Sequence, residues 1–340
     1  MADPLNALSL SDGAIDPETM RAALPGFGLD PASRISLLNV SENATFRVDE
    51  PTGRRVALRL HRAGYHQAAE IASEVFWIEA LRREGIVSTP RPLHPLNGAV
   101  PLRIATRAGE RHVTAFGFVD GIEPPMDADL SALFEQLGTM AAAMHRHVQG
   151  WVRPPGFTRK TWDPASMFGP AALWGPWRAG IGLDAPGISL LERALAHIAD
   201  RLERFGRTTD RFGLIHADPR LANLLIDGST VHLIDFDDCG FGWFGYDFAT
   251  AVSFFEDDPR VPELQARWLE GYRRHAPFSA EAEAVLPSLI LARRILLVAW
   301  VASHPQASSA QGLGLAFTQG ALGMAEQLLR REGQSTIRPD

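Results

Sequence analysis

The chain has 340 residues, more than a single compact core usually holds, so we expect two lobes or domains. Its formal net charge of −7 argues against a nucleic-acid-binding protein, because such a protein needs a basic face that neutralises phosphates. The single cysteine, Cys239, excludes a disulfide within the chain and a cysteine-rich zinc site, and it suits a reducing compartment.

Two stretches bear on targeting and membranes. Residues 1–16 are acidic and lack a basic segment that leads into an apolar run, so we expect no signal peptide. The apolar stretch Leu289–Ala302 contains Arg293 and Arg294 and is too short to span a bilayer, so it predicts a buried helix. We therefore expect a cytoplasmic protein with no membrane partner.

The first 120 residues predict an antiparallel sheet with one long helix inserted. After a short helix around Pro17–Leu24, runs rich in β-formers predict strands at Ile35–Val40, Thr45–Asp49, Arg55–Leu60, Val100–Ala105 and His112–Val119. Between Gln67 and Arg83 the apolar residues recur at helical spacing, and Gly85 ends that helix. The pattern indicates five strands with the helix between the third and the fourth.

The remainder, residues 121–340, is predicted to be mostly helical. Amphipathic patterns predict helices at Asp129–Val148 and Leu190–Phe205, separated by a connection over residues 150–187 that is rich in Trp, Pro and Gly. Further helices follow residue 238 up to about Arg331. We expect an α+β protein, with a small β lobe over residues 1–120 and a larger helical lobe over residues 121–340.

The most informative segment extends from Leu214 to Asp238. Two apolar strands are joined by a turn at Asp227-Gly228, a polar loop precedes them and an acidic cluster follows. Phosphoryl transfer needs a carboxylate that orients the attacking hydroxyl and oxygen ligands that hold Mg²⁺ against the phosphates. Asp218, Asn223 and Asp235 form the pattern H-x-D-x-x-x-x-N followed by hydrophobic-D-F-D, which matches the base and metal ligands of kinases.

With these motifs, roughly residues 30–305 resemble the aminoglycoside phosphotransferase and choline kinase superfamily, which has a protein-kinase-like fold. The resemblance is greatest to the branch of type II homoserine kinases, hydroxylysine kinases and the bacterial stress-response kinase. It implies an ATP- or GTP-dependent kinase with Asp218 as catalytic base and Asn223 and Asp235 as ligands of Mg²⁺. Asp237 either shares a second metal, contacts the substrate or is a solvated neighbour. The chain departs from the family at Ala217, where Gly is common.

The predicted β lobe supplies residues for the nucleotide. The strand Val56–Leu60 resembles the one that carries the phosphate-pairing Lys of protein kinases, but here the residue is Arg59. The family pattern implies that Glu74 pairs with Arg59, and Glu70, one helical turn earlier, is the alternative. The turn between the first two strands contains no glycine, but it offers donors to phosphates from Ser41, Asn43 and Thr45.

Further site residues follow from the resemblance. The segment that joins the lobes is expected to hold adenine through the backbone and side chains of Phe116, Gly117 and Phe118. Asp247 is expected to bond the backbone of the catalytic loop, and His216 is interpreted as a hydrogen-bonded structural residue. Acceptor contacts are expected from the helical lobe, and the candidates are Arg220, Asp238, Trp243 and Arg293 with its neighbour Arg294.

We therefore predict a Mg²⁺-dependent kinase for a small hydroxylated amine or an amino-acid-like acceptor. Aromatic walls and the acidic pair Asp237-Asp238 favour a cationic group, whereas Arg220 or Arg293 would favour a carboxylate. The alternatives are a protein Ser/Thr kinase of the stress-response type and a catalytically silent nucleotide-binding regulator. The presence of Asp218, Asn223 and Asp235 together argues against the silent regulator.

Overall fold

The structure is a computed structural model that describes residues 16–40, 43–107, 109–304, 310 and 312–335. These residues form two compact units. The first comprises residues up to Ile122 together with residues 153–159 and 225–237, and the second comprises residues 123–152, 160–224 and those from 238 onward. The assignment of a nucleotide lobe to residues 1–120 and a catalytic lobe to residues 121–340 stays a prediction.

The first unit contains a six-stranded antiparallel sheet with the order β1-β2-β3-β6-β4, in which β5 also pairs with β6. Its strands are β1 (Arg34–Val40), β2 (Ala44–Asp49), β3 (Arg55–Leu60), β4 (Pro92–Leu93), β5 (Leu102–Thr106) and β6 (Gly109–Gly117). Its helices are α1 (Pro17–Arg21) and α2 (Ala68–Arg83), and α2 begins with a capping box formed by Gln67 and Glu70.

The two faces of this sheet have different roles because side chains alternate along a strand. Val56, Leu58 and Leu60 of β3 are buried in the core that α1 covers. Ala57 and Arg59 therefore lie on the opposite face. On that face Thr45 of β2 and Thr114 of β6 stand directly across from Arg59 in the ladder.

The second unit is mostly helical, and a two-stranded ribbon supports its polar loops. Its helices are α3 (Ser131–Gly150), α4 (Pro164–Phe168), α5 (Ala185–Phe205), α6 (Tyr246–Ala251), α7 (Val261–Arg273), α8 (Ala280–Ser303) and α9 (Gly314–Ser335). The ribbon pairs β7 (Phe212–Ile215) with β10 (Gly240–Trp243). Between β7 and β10 along the chain lies the hairpin of β8 (Leu224–Asp227) and β9 (Thr230–Leu233), which belongs to the first unit from residue 225 onward.

Within the described residues one helix, α8, is long and apolar enough to cross a membrane by length and composition alone. However, 89% of its most apolar window is buried inside the protein, as in the core helix of a globular domain, so this is weak evidence for a span. The predicted buried helix at Leu289–Ala302 is confirmed. A cytoplasmic location stays a prediction.

The sequence predicted the α+β architecture correctly, and its strands and helices are found within a few residues of their predicted bounds. The expectation of five strands was wrong, because the two-residue strand β4 pairs with β6 and is too short to show an alternating pattern. The connection over residues 150–187 is not structureless. It contains α4 and a 3₁₀ turn at Trp177–Ala179.

Two glycines allow α3 and α7 to approach backbone to backbone. A Cβ on Gly138 would overlap the carbonyl of Trp268, and a Cβ on Gly271 would overlap the carbonyl of Glu135. Neither obstacle is a flexible side chain, so a substitution must push the two helices apart. The close approach of α3 and α7 therefore requires glycine at both positions.

We expect Gly271→Ala to lower the free energy of unfolding by about 1–3 kcal/mol, the usual cost of overpacking a core. Urea denaturation with a global probe measures this change. Gly323→Ala is the matched control, because Gly323 lies exposed on α9 and a Cβ added there would meet no atom within 4 Å. There the better helix former should stabilise by about 0.5–1 kcal/mol. Equal effects of the two substitutions would contradict the proposed overlap.

Candidate active site

The loop of residues 216–223 follows β7 and holds Asp218 by several hydrogen bonds. Asn223 donates from its amide to the Asp218 carboxylate (2.7 Å) and to the Asp218 carbonyl (2.8 Å). Arg220 donates to the same carboxylate oxygen, Oδ2, at 3.2 Å, and Arg293 donates to Oδ1 at 2.6 Å. The carboxylate is thus buried and oriented by a network of charged and amide donors.

A second carboxylate, Asp247 at the start of α6, supports the backbone of this loop. It accepts the backbone N–H groups of Ala217 (2.7 Å) and His216 (3.3 Å), as the sequence predicted. Ala217 has a φ of 65°, in the left-handed region that alanine rarely adopts and glycine adopts without strain. His216 accepts the N–H of Asp218 through Nδ1 (3.2 Å) and is fully buried, as its structural interpretation requires.

In the first unit, Arg59 connects three carboxylates. Its guanidinium donates to Glu74 (2.7 Å) and to Asp235 (2.9 Å), and Asp237 lies 3.7 Å away. The predicted Arg59–Glu74 ion pair is therefore present, whereas Glu70 caps α2 and lies beside His66. Burial alone would lower the pKa of Arg59, but the carboxylates raise it, so the guanidinium stays charged. Burial raises the pKa of Glu74, and Arg59 opposes that shift.

Asp237 lies in a buried group with two histidines. His66 Nε2 is 3.4 Å from one of its oxygens and His61 Nδ1 is 3.6 Å from the other. Burial would raise the pKa of Asp237, but His66 and Arg59 hold it well below its usual range. Burial lowers the pKa of His61 to about 3, so His61 is neutral and bonds Thr114 through its other nitrogen (3.0 Å). Asp237 is thus not a solvated acidic neighbour.

Several of the remaining candidates for nucleotide binding already form hydrogen bonds within the protein. Asn43 accepts the N–H of Arg62 (3.1 Å), and Ser41 lies outside the described residues. The backbone N–H groups of Gly117 and Phe118 donate to backbone carbonyls, so they are already used. These two N–H groups are therefore not available to a nucleotide in this structure. Phe116 packs under the guanidinium of Arg59.

The acceptor candidates lie in different surroundings. Arg220 and Arg293 both bond Asp218, whereas Asp238 accepts from Lys160 (2.9 Å). Trp243 donates its indole N–H to the carbonyl of Gly206 and stands opposite Phe212 at the far end of the ribbon from the 216–223 loop. Its position supports packing rather than an acceptor contact.

Sequence reasoning missed several residues that these networks require. His145 of α3 bonds Asp247 (3.0 Å) and Tyr272 of α7 (3.0 Å), and it stacks on Phe244. Lys160 is the only lysine among the 33 lysine and arginine residues of the sequence, so its residue type alone could have singled it out, although not its partner. No comparable sequence signal marks His145, because its role depends on how α3 packs.

Fold and site together define a phosphotransferase with a protein-kinase-like fold. The chain belongs to the phosphotransferase enzyme family, whose profile matches residues 35–278. Its substrate accepts the phosphoryl group on an alcohol.

The solved structure of a microcompartment-associated aminopropanol kinase is similar over 94% of this chain and 99% of its own, with 40% identity and a TM-score of 0.86. Amicoumacin kinase of Bacillus subtilis (strain 168) is 23% identical over 301 residues, which cover 81% of each chain. The amicoumacin kinase hAmiN, solved with AMP-PNP, Ca²⁺ and Ami, has 18% identity and a TM-score of 0.70 over 86% of this chain and 91% of its own. The last two similarities, both below 25% identity, support the fold only.

We expect the neutral, buried His61 to make the protein acid-sensitive. Its pKa is about 3 in the folded state and near 6.5 when unfolded, so between these values the unfolded state binds more protons. Stability contributed by neutral His61 is therefore lost as the pH falls through 6.5. Between pH 7 and pH 5 the loss should reach about 2 kcal/mol.

Urea midpoints at pH 7 and pH 5 measure this loss for the wild type and for His61→Gln, which should lose less between the two values. His275→Gln is the control, because His275 is exposed at the end of α7. The same pH dependence in all three proteins would show that His61 does not titrate on unfolding.

Proposed function

We propose that this chain transfers the γ-phosphoryl group of ATP, with Mg²⁺, to the hydroxyl of a small amino alcohol. The observation that carries the proposal is the Asp218 carboxylate, buried and oriented on a loop that also presents Asn223. A carboxylate within hydrogen-bond reach of an acceptor hydroxyl is what this reaction class needs.

The donor set fits a hard divalent cation. The amide nitrogen of Asn223 donates both hydrogen bonds to Asp218, so the side-chain oxygen of Asn223 does not take part in them. The side chain of Asp235 is 40% exposed. Carbonyl and carboxylate oxygens suit Mg²⁺ better than softer metals. When bound, Mg²⁺ neutralises phosphate charge. We propose that Asn223 and Asp235 hold it, with Asp237 as the alternative second ligand.

The residues of the chain then have separate tasks. Arg59, fixed by Glu74, pairs with nucleotide phosphates, and Asn43 and Thr45 lie beside them. The segment of Phe116, Gly117 and Phe118 borders the adenine. Asp218 accepts the hydrogen bond of the acceptor hydroxyl, aligns its oxygen for in-line attack and takes its proton as transfer proceeds.

The acceptor class rests on the 40% identical relative, which is named as an aminopropanol kinase. In a 1,2-amino alcohol the amine lies within about 4 Å of the hydroxyl oxygen, because only two carbons separate them. The amine must therefore lie close to Asp218. In the second unit, two groups suit a cationic amine: the ring of Phe254, which already contacts Arg220, and the carboxylate of Asp238.

Asp218→Ala should keep nucleotide binding and lose about 10²–10⁴-fold in kcat, the usual contribution of a general base. Nucleotide consumption with Mg²⁺ measures this, with ATP or GTP and with amino alcohols, hydroxy amino acids, aminoglycosides and a generic protein as acceptors. Asp200→Ala, on the exposed face of α5, is the matched control and should retain full activity.

Turnover with one amino alcohol, lost in Asp218→Ala alone, is the expected result. Turnover only with the protein substrate would replace the proposal by a protein kinase. Nucleotide binding without turnover on any acceptor would instead indicate the silent regulator.

A further inference from the structure

Arg293 and Arg294 are adjacent on α8, and both are buried, with 1% and 2% of their surface exposed. Their side chains contact different partners. Arg294 donates to Glu256 (2.8 Å) and Asp257 (3.1 Å) and lies over the ring of Phe317, so its guanidinium is used in these contacts and we no longer count it among the acceptor candidates. Arg293 instead donates to Asp218 at 2.6 Å. One helix therefore buries two guanidiniums, and only one of them contacts the catalytic candidate.

Besides Asp218, two side chains of the second unit fix the position of Arg293. Its Nε donates to Ser253 Oγ (2.9 Å), and Ser253 donates in turn to the carbonyl of Thr250 (2.6 Å). Its guanidinium lies over the ring of Trp174, 4.9 Å from the centroid. A guanidinium held in this way has little freedom to turn towards another ligand.

We propose that Arg293 is a positioning residue for phosphoryl transfer, which permanently holds one oxygen of Asp218 and directs the other to the acceptor hydroxyl. This inference rests on the proposed function and replaces the expectation of an acceptor contact by Arg293. Its side chain is only 2% exposed, so an acceptor would have little of the guanidinium to contact.

The two oxygens of Asp218 support this division of roles. Oδ1 bonds the immobile Arg293, whereas Oδ2 accepts from Asn223 and from Arg220, whose side chain is 20% exposed. Arg220 is thus the donor that an incoming hydroxyl can displace. A short charge-assisted bond to Oδ1 fixes the rotation of the carboxylate, on which in-line alignment depends.

The test compares Arg293→Lys, Arg293→Met, Arg293→Ala and Ser253→Ala with Arg294→Met as the matched control. Each Met substitution removes a buried guanidinium that pairs with a carboxylate, so both Met variants should lose stability. The Arg293 variants should lose about 10²-fold in kcat, with the KM values for nucleotide and acceptor changed less than about threefold, whereas Arg294→Met should keep the kcat of the wild type. Rates are normalised to nucleotide-binding sites, so that unfolded protein does not count.

Ser253→Ala keeps the charge of Arg293 but removes its hydrogen bond, so kcat should fall several-fold while the fold is retained. Guanidinium chloride at low millimolar concentration should raise the kcat of Arg293→Ala at least tenfold, relative to the same concentration of sodium chloride. Rescue of this kind requires a cation at Oδ1 and would not follow from a packing role.

Three results would overturn the inference. One is equal kcat loss in Arg293→Met and Arg294→Met, another is a raised acceptor KM with kcat intact, and the third is unchanged kcat in Ser253→Ala together with no rescue. Failure of the proposed function is a distinct result, because the wild type itself would then show no turnover on any acceptor.

Discussion

The loop of residues 216–223 depends on one buried carboxylate, that of Asp247. Ala217 adopts a left-handed φ that costs an L-residue about 1–2 kcal/mol. Hydrogen bonds to a charged group are each worth about 1.5–3 kcal/mol, so the two backbone N–H groups that Asp247 accepts outweigh this strain. Because Asp218 follows Ala217 directly, Asp247 and His145 behind it hold the backbone from which the Asp218 carboxylate extends.

Charge compensation is the second constraint. In each unit a buried arginine satisfies carboxylates that would otherwise be costly: Arg59 pairs with Glu74 and Asp235, and Arg293 pairs with Asp218. Two nitrogens of the Arg59 fork contact two carboxylates at once, which a lysine ammonium at this depth would not do in the same geometry. The two contacts therefore depend on the arginine fork.

The sequence predicted what depends on local order. The spacing of Asp218 and Asn223 and the turn at Asp227-Gly228 can be read from short-range patterns, and the structure contains the Asn223–Asp218 hydrogen bond and the hairpin. The pairing of Arg59 with Glu74 was implied by the family resemblance, and the ion pair is present. The contacts that His145, Lys160 and Ser253 make could not be predicted, because each joins segments that are distant in the sequence. Such contacts depend on how the segments pack, and hydrophobic periodicity does not encode that packing. Arg293 was singled out, but its partner was not, for the same reason.

The acidic run after β9 shows how two neighbouring carboxylates acquire different properties. Phe236 packs against Trp77, and this burial makes the chain turn sharply around it. Asp235, before the turn, has a left-handed φ of 61° and a side chain that is 40% exposed. Asp237, after it, is 7% exposed and surrounded by His61, His66 and Arg59. A ligand carboxylate must reach a hydrated cation, so for the proposed metal site this contrast favours Asp235 over Asp237, and it favours a structural role for Asp237.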